Sequence, residues 1–126
     1  MRLQGKSALV TGAASDRSIG WGIARALAAE GAEVAVNDIG QLDALAARAA
    51  DIKALGRRSL AVPADLTQPE QVTAMFAKTV AAFGRIDIVV SNAGIIRWEH
   101  FLDIISGRRL YPDPFRRENH APTLSS

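Results

Sequence analysis

Short runs of uninterrupted apolar residues alternate along this chain with longer stretches in which apolar residues recur every three or four positions. The short runs are Ala8-Leu9-Val10, Val34-Ala35-Val36, Leu60-Ala61-Val62 and Ile88-Val89-Val90. A strand with one wet face alternates, so runs without alternation predict strands covered on both sides, as in a parallel sheet. Leu42, Leu45, Ala46, Ala49 and Ile52 fall at helical spacing, as do Val72, Met75, Phe76, Val80 and Phe83. Each set predicts one apolar stripe lying on the sheet. Gly31, Gly56 and Gly84 follow helical stretches, where a left-handed residue closes a helix, and Thr67 with Glu70 has capping-box spacing. The repeated strand, helix, strand construction predicts an α/β fold with a parallel sheet. Right-handed crossovers then predict four strands in the order 3-2-1-4, the first part of a doubly wound fold with flanking helices.

Composition narrows the picture. A chain of 126 residues that is 48% hydrophobic can bury one core. It has no cysteine, so a disulfide framework or thiolate metal site is excluded, and His100 and His120 are too isolated to suggest a metal. With no apolar run after Met1 and none long enough to span a bilayer, the expectation is a cytoplasmic protein. A net charge of +2 gives no reason to expect nucleic acid or a membrane surface as partner. The eleven basic and eleven acidic side chains of residues 1–103 balance, and the excess lies in Arg108, Arg109, Arg116 and Arg117.

The chemistry-bearing segment runs from Thr11 to Ala24, between the first strand and the first helix. Glycine there lets the backbone turn and approach a pyrophosphate, whose charge then faces the free amides of a helix N-terminus. Taken alone, the loop is equally a tight turn. Asp38 ends the second strand about 26 residues after Gly12, near the place where an acid accepts bonds from an adenosine ribose. Taken alone, it reads better as a turn or cap residue. Asp65-Leu66 follows the third strand and Ser91-Asn92-Ala93-Gly94 the fourth. All four groups fall at the carboxyl ends of parallel strands, where open α/β sheets bind ligands.

Residues 1 to about 103 resemble the short-chain dehydrogenase/reductase family. The resemblance is carried by Gly5-Lys6-Ser7-Ala8-Leu9-Val10-Thr11-Gly12, Glu30-Gly31-Ala32, Asp65-Leu66 and Asn92-Ala93-Gly94. It implies an NAD(P)-binding part of Rossmann type, incomplete here, from an oxidoreductase that moves a hydride between the cofactor and an alcohol or carbonyl. By that resemblance Gly12, Ser18, Ile19 and Gly20 line the phosphates and Asp38 meets the adenine ribose. Asp65 and Leu66 meet the adenine ring, and Asn92, Ala93 and Gly94 the nicotinamide-side ribose. The family's common loop reads Thr-Gly-x-x-x-Gly-x-Gly. Here, aligned from Glu30-Gly31, the loop is two residues longer and has Ser18 at the middle glycine, a spacing similar to the enoyl-acyl-carrier-protein reductase branch. Asp38 would repel a 2′-phosphate and favour NAD, while Arg17 could pair with that phosphate and favour NADP. NAD is the expectation.

Family members deliver a proton from a tyrosine whose phenol is made more acidic by a lysine four residues later. The one tyrosine here is Tyr111, four residues before Phe115, so no catalytic residue is assigned. The segment 104–126 has three of the five prolines and two Arg-Arg pairs. It is expected to be a basic, irregular tail foreign to the fold, the product of a shifted frame or early stop, or else an arm for an acidic partner. The expected chain is therefore a truncated dehydrogenase without catalysis, or alternatively a non-catalytic dinucleotide-binding fragment or interaction module. Its strand at Ile86–Val90 would be an open edge available for self-association.

Overall fold

A computed structural model of the chain describes residues 1–92. The elements are β1 (Ser7–Thr11), α1 (Ile19–Ala29), β2 (Glu33–Asp38), α2 (Leu42–Ala54), β3 (Ser59–Pro63), α3 (Pro69–Phe83) and β4 (Ile88–Val90). All four strands are parallel and lie in the order β3-β2-β1-β4, as the alternation of runs and stripes predicts. The two central strands meet the expectation of cover on both faces, since every residue of β1 and the four inner residues of β2 are buried. The edge strands β3 and β4 have similar apolar runs but are mostly half-buried. An apolar run therefore marks a strand without saying whether it is central.

One core lies between the sheet and the pair α1 and α2, where Val10, Val34 and Val36 meet Trp21, Ala24, Ala28, Leu45, Ala49 and Ile52. On α2 only Leu45, Ala49 and Ile52 of the expected stripe are buried; Leu42 and Ala46 are exposed. On α3 the buried face is Val72, Met75, Phe76 and Thr79, with Val80 turned outward. Thr79 can replace it because its hydroxyl donates to the Met75 carbonyl at 2.8 Å and so carries no unmet donor inside.

The carboxyl ends of the three helices follow local rules. Gly31, Gly56 and Gly84 have φ of +104°, +87° and +90°. At Gly31 the closure is a Schellman motif, in which Gly31 N–H donates to Ala28 and Ala32 N–H to Leu27. The capping box expected at Thr67 and Glu70 does not form. Gln68 is the N-cap, without a side-chain bond, and Pro69 opens α3, while the Thr67 hydroxyl turns back to Asp65 Oδ1 at 2.7 Å. A proline at the first helical position already fixes the backbone for entry, which makes Gln68 the N-cap and leaves Thr67 one residue outside it.

Candidate functional site

Four strand ends and a helix start converge at the carboxyl edge of the sheet. Thr11 closes β1, and Gly12 follows with φ +67°, a left-handed conformation that turns the chain away from the strand. The loop ends on Ser18, the N-cap of α1. Its hydroxyl donates to the Ser15 carbonyl at 2.8 Å and accepts from Trp21 N–H at 3.0 Å. The first bond within α1 runs from Gly22 N–H to the Ser18 carbonyl. Among the described residues the amides of Ile19 and Gly20 therefore have no acceptor, as the start of a helix requires. They carry the positive end of the helix dipole.

Gly20 is fixed by space. A Cβ there would lie 2.4 Å from the Gly12 carbonyl oxygen and 2.8 Å from that of Thr11, so the first turn of α1 presses directly on the end of β1. At Gly22, two residues on, a Cβ would meet nothing within 4 Å. The glycine requirement thus belongs to the contact between helix and strand and not to the helix as such.

Asp38, the last residue of β2, points its carboxylate at this loop. Oδ2 accepts from Ala14 N–H at 3.0 Å and Oδ1 from Ile39 N–H at 2.8 Å. The loop is stitched to β2 a second time by Ala13 N–H donating to the Asn37 carbonyl. Neither Asp38 nor Asp65 has an ion pair among the described residues. A carboxylate offers about four lone-pair positions, so Asp38 keeps roughly two for another donor. Beside it Ile39 is 60% exposed.

Asp65 sits just past β3. Its Oδ1 accepts both the hydroxyl and the amide of Thr67, which hold its carboxyl below the usual carboxylate range, the hydroxyl contributing most. Ala64 N–H donates to the Asp38 carbonyl at 3.1 Å, which ties this loop to the end of β2. Asn92 is brought to the same edge by its amide, which donates to Thr11 Oγ1 at 2.7 Å, while Thr11 Oγ1 donates to the Val90 carbonyl.

The structure therefore gathers Gly12, Ser18, Ile19, Gly20, Asp38, Asp65, Leu66 and Asn92 at one edge. Arg17 lies on the exposed part of the loop, and its guanidinium has no partner among the described residues. Ala93, Gly94 and Tyr111, with the whole segment 104–126, lie outside the described residues. Among the described residues no group of three or more histidines or acids is placed to hold a metal ion, and no helix is long and apolar enough to cross a membrane.

Four residues that shape the edge were not singled out from sequence for this role. Ala14 supplies the amide that orients Asp38. Thr11 ties β1 to β4. Buried Asn37 donates to the Val62 carbonyl at 2.8 Å and so fixes the β2 and β3 ends together. Arg48 of α2 donates to the Ala14 carbonyl. A polar residue directly after an apolar run, or an arginine beside a buried stripe, is the signal that marks Asn37 and Arg48.

Comparison with known proteins agrees with this geometry. The family profile described as Enoyl-(Acyl carrier protein) reductase matches residues 12–108. Versicolorin reductase 1 of Aspergillus parasiticus is 46% identical over 103 residues, which are 82% of this chain and 38% of that protein. A 3-oxoacyl-acyl-carrier-protein reductase of Staphylococcus aureus is 47% identical over 92 residues, 73% of this chain and 37% of its own. A short-chain dehydrogenase of Burkholderia cenocepacia, solved in complex with NADP, superimposes with a TM-score of 0.71 at 47% identity. That match covers 77% of this chain and 39% of the other. The chain thus spans about two fifths of the length of such relatives.

Proposed function

Since the chain belongs to the short-chain dehydrogenase/reductase family, an NAD(P)-binding oxidoreductase family, we propose that its carboxyl edge holds the adenosine and phosphate end of NAD. The observation that carries this reading is the Asp38 carboxylate, held by two amides and no cation beside a helix start with unshared N–H groups. In this reading the Ile19 and Gly20 amides face the pyrophosphate, and the tight Gly12 and Gly20 contact lets backbone rather than side chain line it. Ser18 acts as the cap that holds those amides in place. Asp38 accepts the ribose hydroxyls, Asp65 and Leu66 take the adenine side, and Asn92 with Ala93 and Gly94 the second ribose.

Charge supports NAD over NADP in this reading. Two unit charges 4 Å apart near a protein surface interact by about 4 kcal/mol, so a 2′-phosphate beside Asp38 is strongly disfavoured. An exposed pair with Arg17 returns only about 0–1 kcal/mol. Calorimetric titration of the chain is expected to show NAD binding more tightly than NADP. Equal or reversed affinities overturn the choice of cofactor, and no heat with either at millimolar nucleotide overturns the site.

For the whole protein we propose hydride transfer to or from an alcohol or carbonyl substrate, the hydride being what the nicotinamide supplies or accepts when bound. No proton donor is assigned in this chain, because Phe115 stands where a lysine would follow Tyr111 by four residues. The 126 residues alone are expected to bind without turnover, and NADH oxidation with carbonyl substrates by the purified chain overturns that expectation. The same reading places the protein in the cytoplasm, where dinucleotide pools lie, which cell fractionation checks. Among the described residues β4 pairs only with β1, so the chain by itself is expected to associate with a second copy along β4. A monomer by light scattering contradicts this.

A further inference from the structure

Arg48 is a cation set against the buried stripe of α2, between Leu45 and Ala49, with only 15% of its side chain exposed. Three contacts hold it. Nε donates to Asp51 Oδ2 at 2.9 Å, Nη1 donates to the Ala14 carbonyl at 3.4 Å, and the guanidinium lies 5.4 Å from the centre of the Trp21 ring. Ala14 stands at the start of the loop that follows β1, and Trp21 in the helical turn where that loop ends. One side chain from a different element thus touches both ends of the loop. Ala14 is in turn held on its other side, since its N–H donates to Asp38 Oδ2.

We propose that Arg48 is a positioning residue of the dinucleotide site, bracing the loop so that Asp38 is aimed at the ribose hydroxyls and set against a 2′-phosphate. This rests on the NAD reading above. The loop is two residues longer than the family's common pattern, and added loop length adds conformations that must be frozen before a ligand meets it. A brace across its ends removes them in advance. Arginine suits the task because a planar fork can stack on an indole and donate from its edge at the same time. Lysine keeps the charge and cannot do both. The Arg48–Asp51 pair by itself, an i,i+3 contact on a helix, needs neither Trp21 nor Ala14.

The test uses the full chain carrying Trp98→Phe, which leaves Trp21 as its one tryptophan. In that background Arg48→Met and Arg48→Lys are titrated with NAD and with NADP by calorimetry, with Trp21 emission and thermal unfolding recorded alongside. The expected result is altered Trp21 emission and NAD dissociation constants raised roughly tenfold, the worth of one charge-assisted bond. The ratio of NADP to NAD dissociation constants falls toward one, and lysine does not rescue. If lysine restores both constants, or melting falls while the ratio stays at its parent value, the brace is overturned. A parent chain that binds neither nucleotide overturns the NAD reading and this inference with it, whereas a parent that binds NAD beside unchanged variants overturns the brace alone.

Discussion

At the edge where the strands begin, Glu33 and Asp87 each face an arginine; at the edge where they end, Asp38 and Asp65 are held by backbone amides and one hydroxyl. Arg58 grips Glu33 through two bonds of 2.6 and 2.7 Å, lies 5.5 Å from the Phe83 ring centre and donates to the Ala82 carbonyl. Arg85 meets Asp87 at 3.1 Å. The acids of the first edge are paired with cations within the fold, and those of the second have no cation beside them among the described residues. An acid in a parallel sheet is therefore read by its partners: a cation makes it a fastening, while neutral donors without a cation leave it available to something else.

The largest effect is expected from the two glycines that lock these edges. Gly20→Ala drives a methyl to 2.4 Å from the Gly12 oxygen. It is expected to cost about 1–3 kcal/mol in chemical denaturation and to weaken NAD by at least roughly tenfold. Gly31→Ala, at the opposite edge with φ +104° and 3.0 Å from the Gln4 backbone, is expected to cost about 1–2 kcal/mol and leave NAD affinity unchanged. If both variants lose binding equally, the two edges are not functionally distinct.

Next in size is Asp38→Asn, expected to weaken NAD by roughly ten- to hundredfold in calorimetry and to narrow the gap to NADP. Its counterpart Glu33→Gln removes an ion pair whose arginine is 60% exposed. It should lower stability by less than about 1 kcal/mol, with no change in affinity.

The smallest effect sharpens the comparison by pH. Asp65 and Asp87 both lie below their usual value, Asp65 chiefly through the Thr67 hydroxyl and Asp87 chiefly through Ser7 N–H, ahead of Arg85. A depressed acid contributes stability that is present above the unfolded value of 3.8 and is lost as pH falls through the lower folded value. Melting temperature is expected to decline below about pH 4. In Thr67→Val the part due to Asp65 should largely vanish, because the hydroxyl that favours its ionised form is gone. An unchanged acid limb in that variant removes Asp65 from the account.

The sheet and its order were legible because four apolar runs with a helical stretch in each of the three gaps leave few topologies once crossover handedness is fixed. The site was legible as positions, since strand ends are counted along the chain. Its internal bracing was not. The bond from Ala14 to Asp38 joins residues 24 apart through a backbone group, which no residue type announces. The burial of Thr79 in place of Val80 turns on a hydroxyl finding a carbonyl one turn back, a local exchange that hydrophobicity alone ranks the wrong way. At Thr67 the expected cap is displaced because Pro69 starts the helix one residue later, with Gln68 as its N-cap.

The pairing of β1 with β4 joins positions about eighty residues apart, as in the Ser7 to Asp87 bond, whereas β1, β2 and β3 pair with their neighbours along the chain. Contacts close in sequence form first, so Asp38 and the glycine loop can reach their final arrangement on a nascent polypeptide before β4 has left the ribosome. Pulsed hydrogen exchange during refolding is expected to protect the β1 to β3 amides ahead of Val89 and Asn92. On the reading proposed above, a dinucleotide would then meet a finished adenosine site before β4 has joined the sheet.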